Sequence, residues 1–213
     1  MTSFSLTGVR KSYNGRTVLR DIAVSGTSGD VVGILGANGS GKSTLMRIIA
    51  GVLRADAGDI SLTVNGTVIE SEQRPFSCGY VAPYLQIYDE FTPRELLHVH
   101  AELHGKKSSE EHIDAVLRRV GLDRYTNEIV RTFSSGMRQR VSIALAVSLI
   151  PPVLMLDEPS TTLDTNGRAI LIQEIVAHQQ RGGIVFLATN DERERELCTH
   201  SITVSPSVLQ QSA

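Results

Sequence analysis

The feature that most constrains this chain is the glycine-rich stretch GILGANGSGKST, residues 33 to 44. It contains the spacing G-x-x-x-x-G-K-S from Gly36 to Ser43, which places a lysine and a hydroxyl directly after closely spaced glycines. Glycines let a backbone wrap tightly with its N–H groups pointing inward, and a helix that follows presents its positive N-terminal end to an anion. The stretch therefore predicts a phosphate-binding loop between a strand and a helix.

The side chains of this loop have predicted tasks in holding a nucleotide. We expect Lys42 to reach the β and γ phosphates, Ser43 to place its hydroxyl on Mg²⁺, and Thr44 to be available to the α phosphate. The rest of the predicted cradle consists of Gly36, Asn38, Gly39, Ser40 and Gly41. The letters GANGSG do not fit the G-x-G-x-x-G fingerprint, so dinucleotide binding is not expected. A chance glycine-rich turn is the alternative, and the strand before the loop and the helix after it argue against that alternative.

Composition limits how large a core the chain can form and which partners it can bind. Its 213 residues, of which 41% are hydrophobic, can bury one good-sized core and a small second lobe. A formal net charge of -2 supplies no basic field for binding a phosphate backbone, so no nucleic-acid partner is predicted. Cys78 and Cys198 lie far apart and outside any C-x-x-C pair, which predicts neither a disulfide framework nor a zinc site.

The apolar stretches indicate a cytoplasmic chain without a membrane-spanning segment. The N-terminal residues lack the apolar region of a secretory signal. The longest apolar stretch, residues 141 to 156, is cut by Pro151 and Pro152 and is shorter than the roughly 20 residues that a spanning helix needs.

Short apolar runs followed by helical patterns predict an α/β core with a parallel sheet. The runs are VVGIL (31 to 35), PVLMLD (152 to 157) and GIVFLAT (183 to 189). The helical patterns that follow them are Lys42 to Ala50, Thr165 to Gln180 and Asp191 to Leu197.

Two further regions have different patterns. Alternating stretches at residues 4 to 13, 17 to 26 and 59 to 70, with turn residues at Asn14-Gly15 and Asn65-Gly66, predict an antiparallel sheet. From Thr92 to Leu149 the pattern is helical, with interruptions at Gly121 and at residues 132 to 136. A helical arm is therefore predicted between strands of the core.

A pair of carboxylates follows one of the buried strands. The run ending at Leu156 continues as Asp157-Glu158, which places both side chains at the carboxyl edge of the sheet, beside the expected phosphate site. There Asp157 suits a water-mediated role at Mg²⁺, and Glu158 suits the general base that polarises an attacking water. The alternative is an acidic pair that caps the next loop, and the phosphate loop upstream disfavours it.

The stretch TFSSGMRQRVSIALA, residues 132 to 146, decides among the classes of phosphate-loop protein. Ser134, Ser135 and Gly136 open a long helix there, which is a second site suited to an anion. The stretch resembles the signature of the ATP-binding cassette (ABC) ATPases, LSGGQ followed by basic residues and an apolar helix. In that family the helix start contacts the γ phosphate of ATP held by the opposite subunit.

The resemblance covers almost the whole chain and keeps the motif order of the family. Tyr13 stands where the family stacks an aromatic ring on adenine, although a tyrosine at a strand edge is more often simple packing. Residues 160 to 164, within DEPSTTLD, resemble the loop that contacts the second subunit. The resemblance implies an ABC ATPase fold: a P-loop NTPase core with a parallel sheet, an N-terminal antiparallel β subdomain and an inserted α-helical subdomain. It also implies one domain over residues 1–213, with a nucleotide-binding lobe (1–84 and 150–213) and a helical lobe that bears the signature (85–149).

Two positions depart from the family pattern. Pro83 stands where the family has a glutamine after an apolar strand, with Gln86 three residues later, and proline has no side-chain oxygen for Mg²⁺ or water. Asn190 stands where the family has a catalytic histidine at the end of the last core strand. We assign Asn190 to the catalytic residues together with Glu158.

The resemblance implies an ATP-hydrolysing subunit that uses ATP and Mg²⁺, pairs with a second ABC ATPase subunit, and drives transport through a separate transmembrane protein. That partner is expected to dock at Pro83 to Glu95, which makes the chain peripheral on the cytoplasmic face of the membrane. One alternative is a regulatory partner that binds ATP and hydrolyses it poorly, favoured by Pro83 and Asn190. Another is a soluble member acting in DNA repair or translation, which the single short cassette disfavours.

Two further groups of polar residues lie outside the predicted nucleotide site. Among His98, His100 and His104, the last two are four residues apart on one predicted helix face, a spacing that metal ligands use. No carboxylate or cysteine completes a ligand set, which favours ordinary surface histidines. The block RERE, residues 193 to 196, is predicted to be a solvated helix face.

Overall fold

The computed structural model describes residues 1–83 and 85–205, which form two β-sheets and six α-helices. The strands are β1 (Thr2–Tyr13), β2 (Arg16–Thr27), β3 (Val31–Leu35), β4 (Ala57–Val64), β5 (Thr67–Val68), β6 (Cys78–Val81), β7 (Val153–Asp157), β8 (Ile184–Ala188) and β9 (His200–Thr203). The helices are α1 (Lys42–Ile49), α2 (Pro93–Leu103), α3 (Glu110–Arg119), α4 (Ser135–Ser148), α5 (Thr165–Gln180) and α6 (Glu192–Arg195).

The N-terminal part of the chain forms the predicted antiparallel sheet, in the order β2-β1-β4-β5. The turn between β1 and β2 has positive φ angles at Asn14 (49°) and Gly15 (78°), and the turn between β4 and β5 has them at Asn65 (51°) and Gly66 (82°). Both turns match the Asn-Gly pairs expected for two-residue hairpins, because these residues adopt positive φ at low cost.

The second sheet is parallel throughout, in the order β6-β7-β8-β3-β9, which confirms the predicted α/β core. Ala188 at the end of β8 lies opposite Ile34 of β3 on one side and Asp157 of β7 on the other. The start of the glycine-rich loop, the acidic pair and the segment after β8 therefore meet at one edge of the sheet. Strand β9, which had no prediction, pairs with β3 on its outer side.

Alternate residues of the parallel sheet pack into two apolar cores. On β7, Val153 and Met155 belong to the core that contains α1 and the antiparallel sheet. Leu154 and Leu156 belong to the core that contains α2 to α5. All five residues of this strand are buried, as expected for a parallel strand covered on both faces. The sheet edge that carries the loops is thus held between two packed layers.

The helical arm is less continuous than the sequence predicts. The prediction of helix from Thr92 to Leu149 was wrong at residues 104–109, where Gly105 has a φ of 65° and Ser109 caps α3 through the N–H of His112 at 3.2 Å. It was also wrong at residues 122–131, between the predicted interruptions at Gly121 and at residues 132 to 136, because that stretch contains no α-helix and only the beginning of the short 3₁₀ turn 130–132. Helix α2 starts with a Thr92/Glu95 capping box, which fixes its first turn.

The segment after β8 also differs from its prediction. Helix α6 has four residues instead of the seven predicted. The prediction of a solvated face for RERE was wrong for Glu194, whose side chain is buried and whose two carboxylate oxygens have no hydrogen-bond partner in the described part of the chain. The helical pattern is too short for a periodicity argument to tell its inner residue from its outer ones. Among the described helices, none has both the length and the apolar character required to cross a bilayer.

Candidate functional site

The glycine-rich loop connects β3 to α1, as predicted, and its shape depends on two glycines. Gly36 has a φ of 148°, and a side chain there would lie 2.6 Å from Ser40 Oγ and closer still to the backbone oxygen of Val204. Gly41 has a φ of 110°, and a side chain there would press on Val18 at 2.9 Å. A residue with a Cβ at either position would displace the loop.

Lys42 lies at the first position of α1 with its ammonium inside the loop. Its Nζ donates to the backbone oxygen of Gly36 at 2.8 Å and lies 3.3 Å from Oε1 of Glu158. The side chain is only 5% exposed. A buried cation thus stands between the phosphate loop and the acidic pair, where it attracts a phosphate group through little intervening water.

Asp157 and Ser43 lie next to each other on the same side of the loop. The Ser43 hydroxyl donates to the carboxylate of Asp157, which is 2% exposed. Burial raises the pKa of Asp157, while the Ser43 hydrogen bond and the Lys42 charge oppose that rise. Oδ2 of Asp157 has no hydrogen-bond partner in residues 1–83 and 85–205. A buried carboxylate oxygen without a partner beside a hydroxyl fits a hard cation such as Mg²⁺, which prefers oxygen ligands.

Glu158 has a backbone conformation that is unusual for its residue type. Its φ is 47°, its N–H donates to the backbone oxygen of Ala188 at 2.8 Å, and its own backbone oxygen accepts from Oγ1 of Thr161 at 2.8 Å. A non-glycine residue in the left-handed region costs free energy and persists only where neighbouring bonds hold it, which is typical of functional sites. These bonds direct the carboxylate toward Lys42.

These residues share one cavity of about 490 Å³ at the carboxyl edge of the parallel sheet. It is lined by Tyr13, Val18, Asn38, Gly39, Gly41, Lys42, Ser43, Thr44, Pro83, Asp157 and Glu158. Gly36 and Ser40 do not line this cavity, and the buried Oγ of Ser40 has no hydrogen-bond partner among the described residues. Tyr13 ends β1 at the rim with 44% of its surface exposed. The structure therefore brings together most of the residues that the sequence assigned to the nucleotide.

Asn190 reaches the phosphate loop from the segment after β8. Its Nδ2 donates to Oδ1 of Asn38 at 2.9 Å, a contact between residues far apart in the sequence. Asn190 is not the N-cap of the following helix, because Asp191 is that cap and accepts from the N–H of Arg193 at 2.9 Å. The Asn38–Asn190 contact escaped the sequence argument, since neither residue carries a local signal for it.

Comparison with known proteins identifies the family of this chain. A family model described as "ABC transporter" matches residues 19 to 161, more than half of the chain. The chain belongs to the ABC transporter family. An uncharacterised ABC transporter ATP-binding protein of Bacillus subtilis, YdbJ, is 35% identical over 92% of this chain and 64% of its own length. A daunorubicin resistance ATP-binding protein of Streptomyces coeruleorubidus is 31% identical over 95% of this chain and 65% of its own length. The chain thus spans less than two thirds of these relatives.

Solved structures support the ABC ATPase fold. An ATP-binding subunit of an ABC transporter superposes with a TM-score of 0.83 at 26% identity, over 95% of this chain and 86% of its own. An ATP-binding cassette described as a dimeric post-hydrolysis state bound to ADP and Pi also gives 0.83, at 23% identity over 95% and 94% of the two chains. At the lower identity the likeness concerns the fold alone. The predicted fold class is therefore confirmed.

The segment that resembles the ABC signature lies at the start of α4. Ser134 is the N-cap, and its Oγ accepts from the N–H of Met137 at 3.2 Å. Ser135 lines a second and larger cleft of about 610 Å³ together with Gln86, Gln139 and Glu158. Among the described residues that line the phosphate cavity, none belongs to Ser134–Gly136. Within one chain, the two anion-suited helix starts therefore face different spaces.

Pro83 lines both the phosphate cavity and the larger cleft, whereas Gln86 lines the cleft alone. The position that aligned with the glutamine of the ABC family therefore lies beside the phosphate loop, and a proline occupies it.

The histidines of the helical arm have protein partners. His98 pairs with Glu110 at 2.8 Å, and Nδ1 of His104 donates to the backbone oxygen of His100 at 2.8 Å. Nδ1 of His100 lies 3.3 Å from Oγ of Ser148. No three histidine, cysteine or acidic side chains converge on a metal position anywhere in residues 1–83 and 85–205. These histidines therefore contribute to packing and hydrogen bonding of the helical arm.

Proposed function

We propose that this chain is an ATP-binding subunit whose hydrolysis of ATP powers transport across a membrane through a separate transmembrane protein. The observation that carries this proposal is the single cavity in which the Lys42 ammonium, the Asp157 carboxylate and the Glu158 carboxylate meet beside a glycine-rich loop. A chain of the ABC family with this arrangement has the groups needed to bind a triphosphate and to activate a water against it.

Binding of ATP would rest on the loop and its flanks. Backbone N–H groups of the loop and the N-terminal end of α1 attract the phosphate oxygens, and Lys42 adds a full positive charge. Thr44 lines the same cavity and offers a hydroxyl to the α phosphate. Tyr13 stands at the rim, where its exposed ring can stack on the adenine.

Ser43 and Asp157 are the residues that would hold Mg²⁺. The hydroxyl of Ser43 and the unpartnered Oδ2 of Asp157 supply oxygen ligands, directly or through water. When bound, the ion neutralises charge on the phosphate chain. With a cation in place, the cost of keeping the buried Asp157 carboxylate ionised falls, because an opposite charge offsets its loss of solvation.

Glu158 would act as the general base. Its carboxylate is one third exposed, at 34%, so water can reach it, and Nζ of Lys42 lies 3.3 Å from Oε1. One of its oxygens takes the proton as the water oxygen attacks the γ phosphorus and the bond to the β-phosphate oxygen breaks. Asn190 would contribute an amide donor at the same end of the cavity.

The functional unit would contain two such subunits. The Ser134–Gly136 helix start does not line the phosphate cavity of its own chain, which supports a second subunit as the source of the helix start that contacts the bound nucleotide. Residues 160 to 164, directly after Glu158, would lie between the subunits. We further propose the lobe division of the sequence prediction, with residues 1–84 and 150–213 binding nucleotide and 85–149 bearing the signature; residue 84 and residues 206–213 lie outside the described residues.

The transmembrane partner would dock on the segment Pro83 to Glu95, of which Tyr84 lies outside the described residues. Leu85, Tyr88 and Phe91 expose 44%, 79% and 40% of their surfaces there, next to the larger cleft. Apolar side chains exposed together mark a surface for another protein. Docking there would make the chain peripheral on the cytoplasmic face of a membrane.

A second candidate function is that of a regulatory partner that binds ATP and hydrolyses it slowly. Two observations favour it: Pro83 lines the cavity without a side-chain oxygen, and the Asn190 amide is engaged with Asn38. Both candidates require ATP binding, so they differ only in turnover.

Turnover and partners are measured in two steps. Purified chain is assayed for release of phosphate from Mg-ATP, alone and with its membrane partner, and a measurable rate that vanishes in the Glu158→Gln variant supports the first function. Detergent extraction and co-purification then identify the partner. Recovery with a membrane protein supports either transport role, whereas recovery with DNA or ribosomes contradicts both.

A further inference from the structure

The loop that follows Glu158 begins with a residue whose backbone is hydrogen-bonded on both sides. The N–H and backbone oxygen of Glu158 are bonded to Ala188 and Thr161, as described above. Pro159, the next residue, is buried and has no N–H group. Its backbone oxygen is therefore its only hydrogen-bonding group, and a buried oxygen of this kind needs a donor.

The donor comes from the helical arm. Nε2 of Gln139 donates to the backbone oxygen of Pro159 at 2.8 Å. Gln139 lies on α4, about one turn beyond the Ser134–Gly136 helix start. The same α4 therefore carries the signature segment at its first turn and the donor to the Glu158 loop at its second.

A second contact joins the same two pieces of chain. A side chain at Gly136 would lie 3.1 Å from the backbone oxygen of Thr162, so the first turn of α4 packs closely on the loop after Glu158. Gln139, Ser135, Thr162 and Glu158 all line the larger cleft. A displacement of α4 therefore changes both contacts, because a helix of this length moves as a rigid element.

We propose that Gln139 is a positioning residue for Glu158, which ties the placement of the signature helix α4 to the orientation of the general base. This inference rests on the proposed function, since it assigns Gln139 a role in the reaction of that site. When the helix start engages a phosphate on a second subunit, the Gln139–Pro159 hydrogen bond holds the Glu158 loop in the matching position. Gln139 itself touches neither the phosphate cavity nor a reacting atom.

The chain offers a matched control on the same helix. Ser142 lies on α4 and lines the same cleft, but its Oγ donates to the backbone oxygen of Arg138 at 3.4 Å, within its own helix. Ser142→Ala therefore removes a polar side chain from the cleft without affecting the loop. Gln139→Ala removes the donor to Pro159, and Gln139→Lys keeps a long side chain with N–H donors.

The first experiment compares these variants in the intact chain. We expect Gln139→Ala to lower kcat by about 10-fold to 100-fold, which is the scale of effect caused by small misplacement of a reacting group. The Kd for Mg-ATP measured by calorimetry should stay unchanged, because Gln139 lies outside the phosphate cavity. Ser142→Ala should keep the parent kcat, and Gln139→Lys should recover part of the loss. A melting curve on each variant separates loss of turnover from loss of folded protein.

The second experiment removes the group on which Gln139 is proposed to act. In single-turnover assays, Gln139→Ala should cost little when Glu158 is already Gln, since the two changes affect the same step. An equal loss in both backgrounds, or parent turnover in Gln139→Ala, overturns the inference. Loss of ATP affinity in Gln139→Ala also overturns it, because it would show general damage. Parent turnover in Glu158→Gln alone would instead reject the proposed function.

Discussion

The two helix starts that suit an anion differ in how much of their surroundings a single chain provides. Around the phosphate loop, Lys42, Asp157 and Glu158 converge from the carboxyl ends of two strands of the parallel sheet, β3 and β7. At the start of α4, Ser134 makes its own capping bond, and the cleft that Ser135 lines contains no lysine among its described residues. The residues around the phosphate loop make up a site within one chain, which we call the formed site. The start of α4 supplies only one face of a site.

This difference follows from where the two segments sit. Ala188 lies opposite both Ile34 and Asp157. The hydrogen-bonded strands of the parallel sheet therefore hold the segments around the phosphate loop at the regular distance between neighbouring strands. Helix α4 belongs to the helical arm and reaches the core through packing and through Gln139. Substitutions at the first site should therefore impair ATP binding and hydrolysis in a single chain. Substitutions at the second site should impair the function of two paired subunits.

The largest effect is expected at the centre of the formed site. Lys42→Ala removes a buried ammonium that faces the phosphates, which leaves their charge poorly compensated inside the loop. We expect Mg-ATP binding to be lost in calorimetry. Lys106→Ala, in the helical arm, is the control and should bind as the parent chain does. An unchanged Kd for Mg-ATP in Lys42→Ala would contradict the assignment of this loop as the phosphate-binding site.

The next effect separates chemistry from binding within the same cavity. Glu158→Gln keeps the size of the side chain and removes its basicity, so ATP should still bind while turnover falls by about 10²-fold to 10⁴-fold. The trapped nucleotide should also hold two subunits together, which is seen as a doubled mass in size exclusion. Glu196→Gln, the same change at an exposed position after α6, is the control. A Glu158→Gln protein that hydrolyses ATP at the parent rate would remove Glu158 from the role of base.

A charge at the second helix start tests whether that segment acts only on a partner. Gly136→Asp places a carboxylate at the N-terminal end of α4, where it repels a phosphate from another subunit. Binding of ATP to the single chain should persist, while turnover falls by about 10²-fold and the doubled mass of the Glu158→Gln variant disappears. Gly136→Ala adds a methyl group 3.1 Å from the Thr162 oxygen without charge and should have a smaller effect. If Gly136→Asp also lost ATP binding, the two sites would not be separate.

The sequence predicts the formed site well because its signals are local. The order of glycines, Lys42 and Ser43 depends on a strand, a turn and a helix within twelve residues, and helix α5 has the predicted bounds Thr165–Gln180. Its cap Asp164 accepts from the N–H of Gly167 at 2.7 Å, a standard start signal. Such features require no knowledge of distant residues.

The features that the sequence missed depend on contacts between distant segments. The burial of Glu194 and the pairing of β9 with β3 are set by how the segment after β8 returns to the sheet. The Gln139–Pro159 and Asn38–Asn190 hydrogen bonds likewise join different parts of the chain. Periodicity and spacing within one segment carry no information about such pairs, which explains why the residue types could be named before their partners.

The smallest effect is expected at Asn190, where the formed site departs from the family. A histidine there could become cationic, whereas the Asn190 amide is shorter, stays neutral, and already donates to Asn38 at 2.9 Å. Loss of one donor to developing charge costs about 10²-fold to 10³-fold in rate, and an amide that keeps part of this contact costs less. We therefore expect Asn190→His to raise turnover by less than about 10²-fold, with unchanged affinity for ATP.

The control for Asn190→His is the variant that removes the other half of the contact. Asn38→Ala frees the Asn190 amide without adding an imidazole, so a gain in turnover in this variant would mean that release from Asn38, and not the histidine, raises the rate. Because Asp191 is the helix cap, Asn190→His should leave the melting temperature close to that of the parent. A histidine variant with parent turnover would show that Asn190 serves the phosphate loop through Asn38 and has no part in the chemistry, which would leave Glu158 as the catalytic side chain of the formed site.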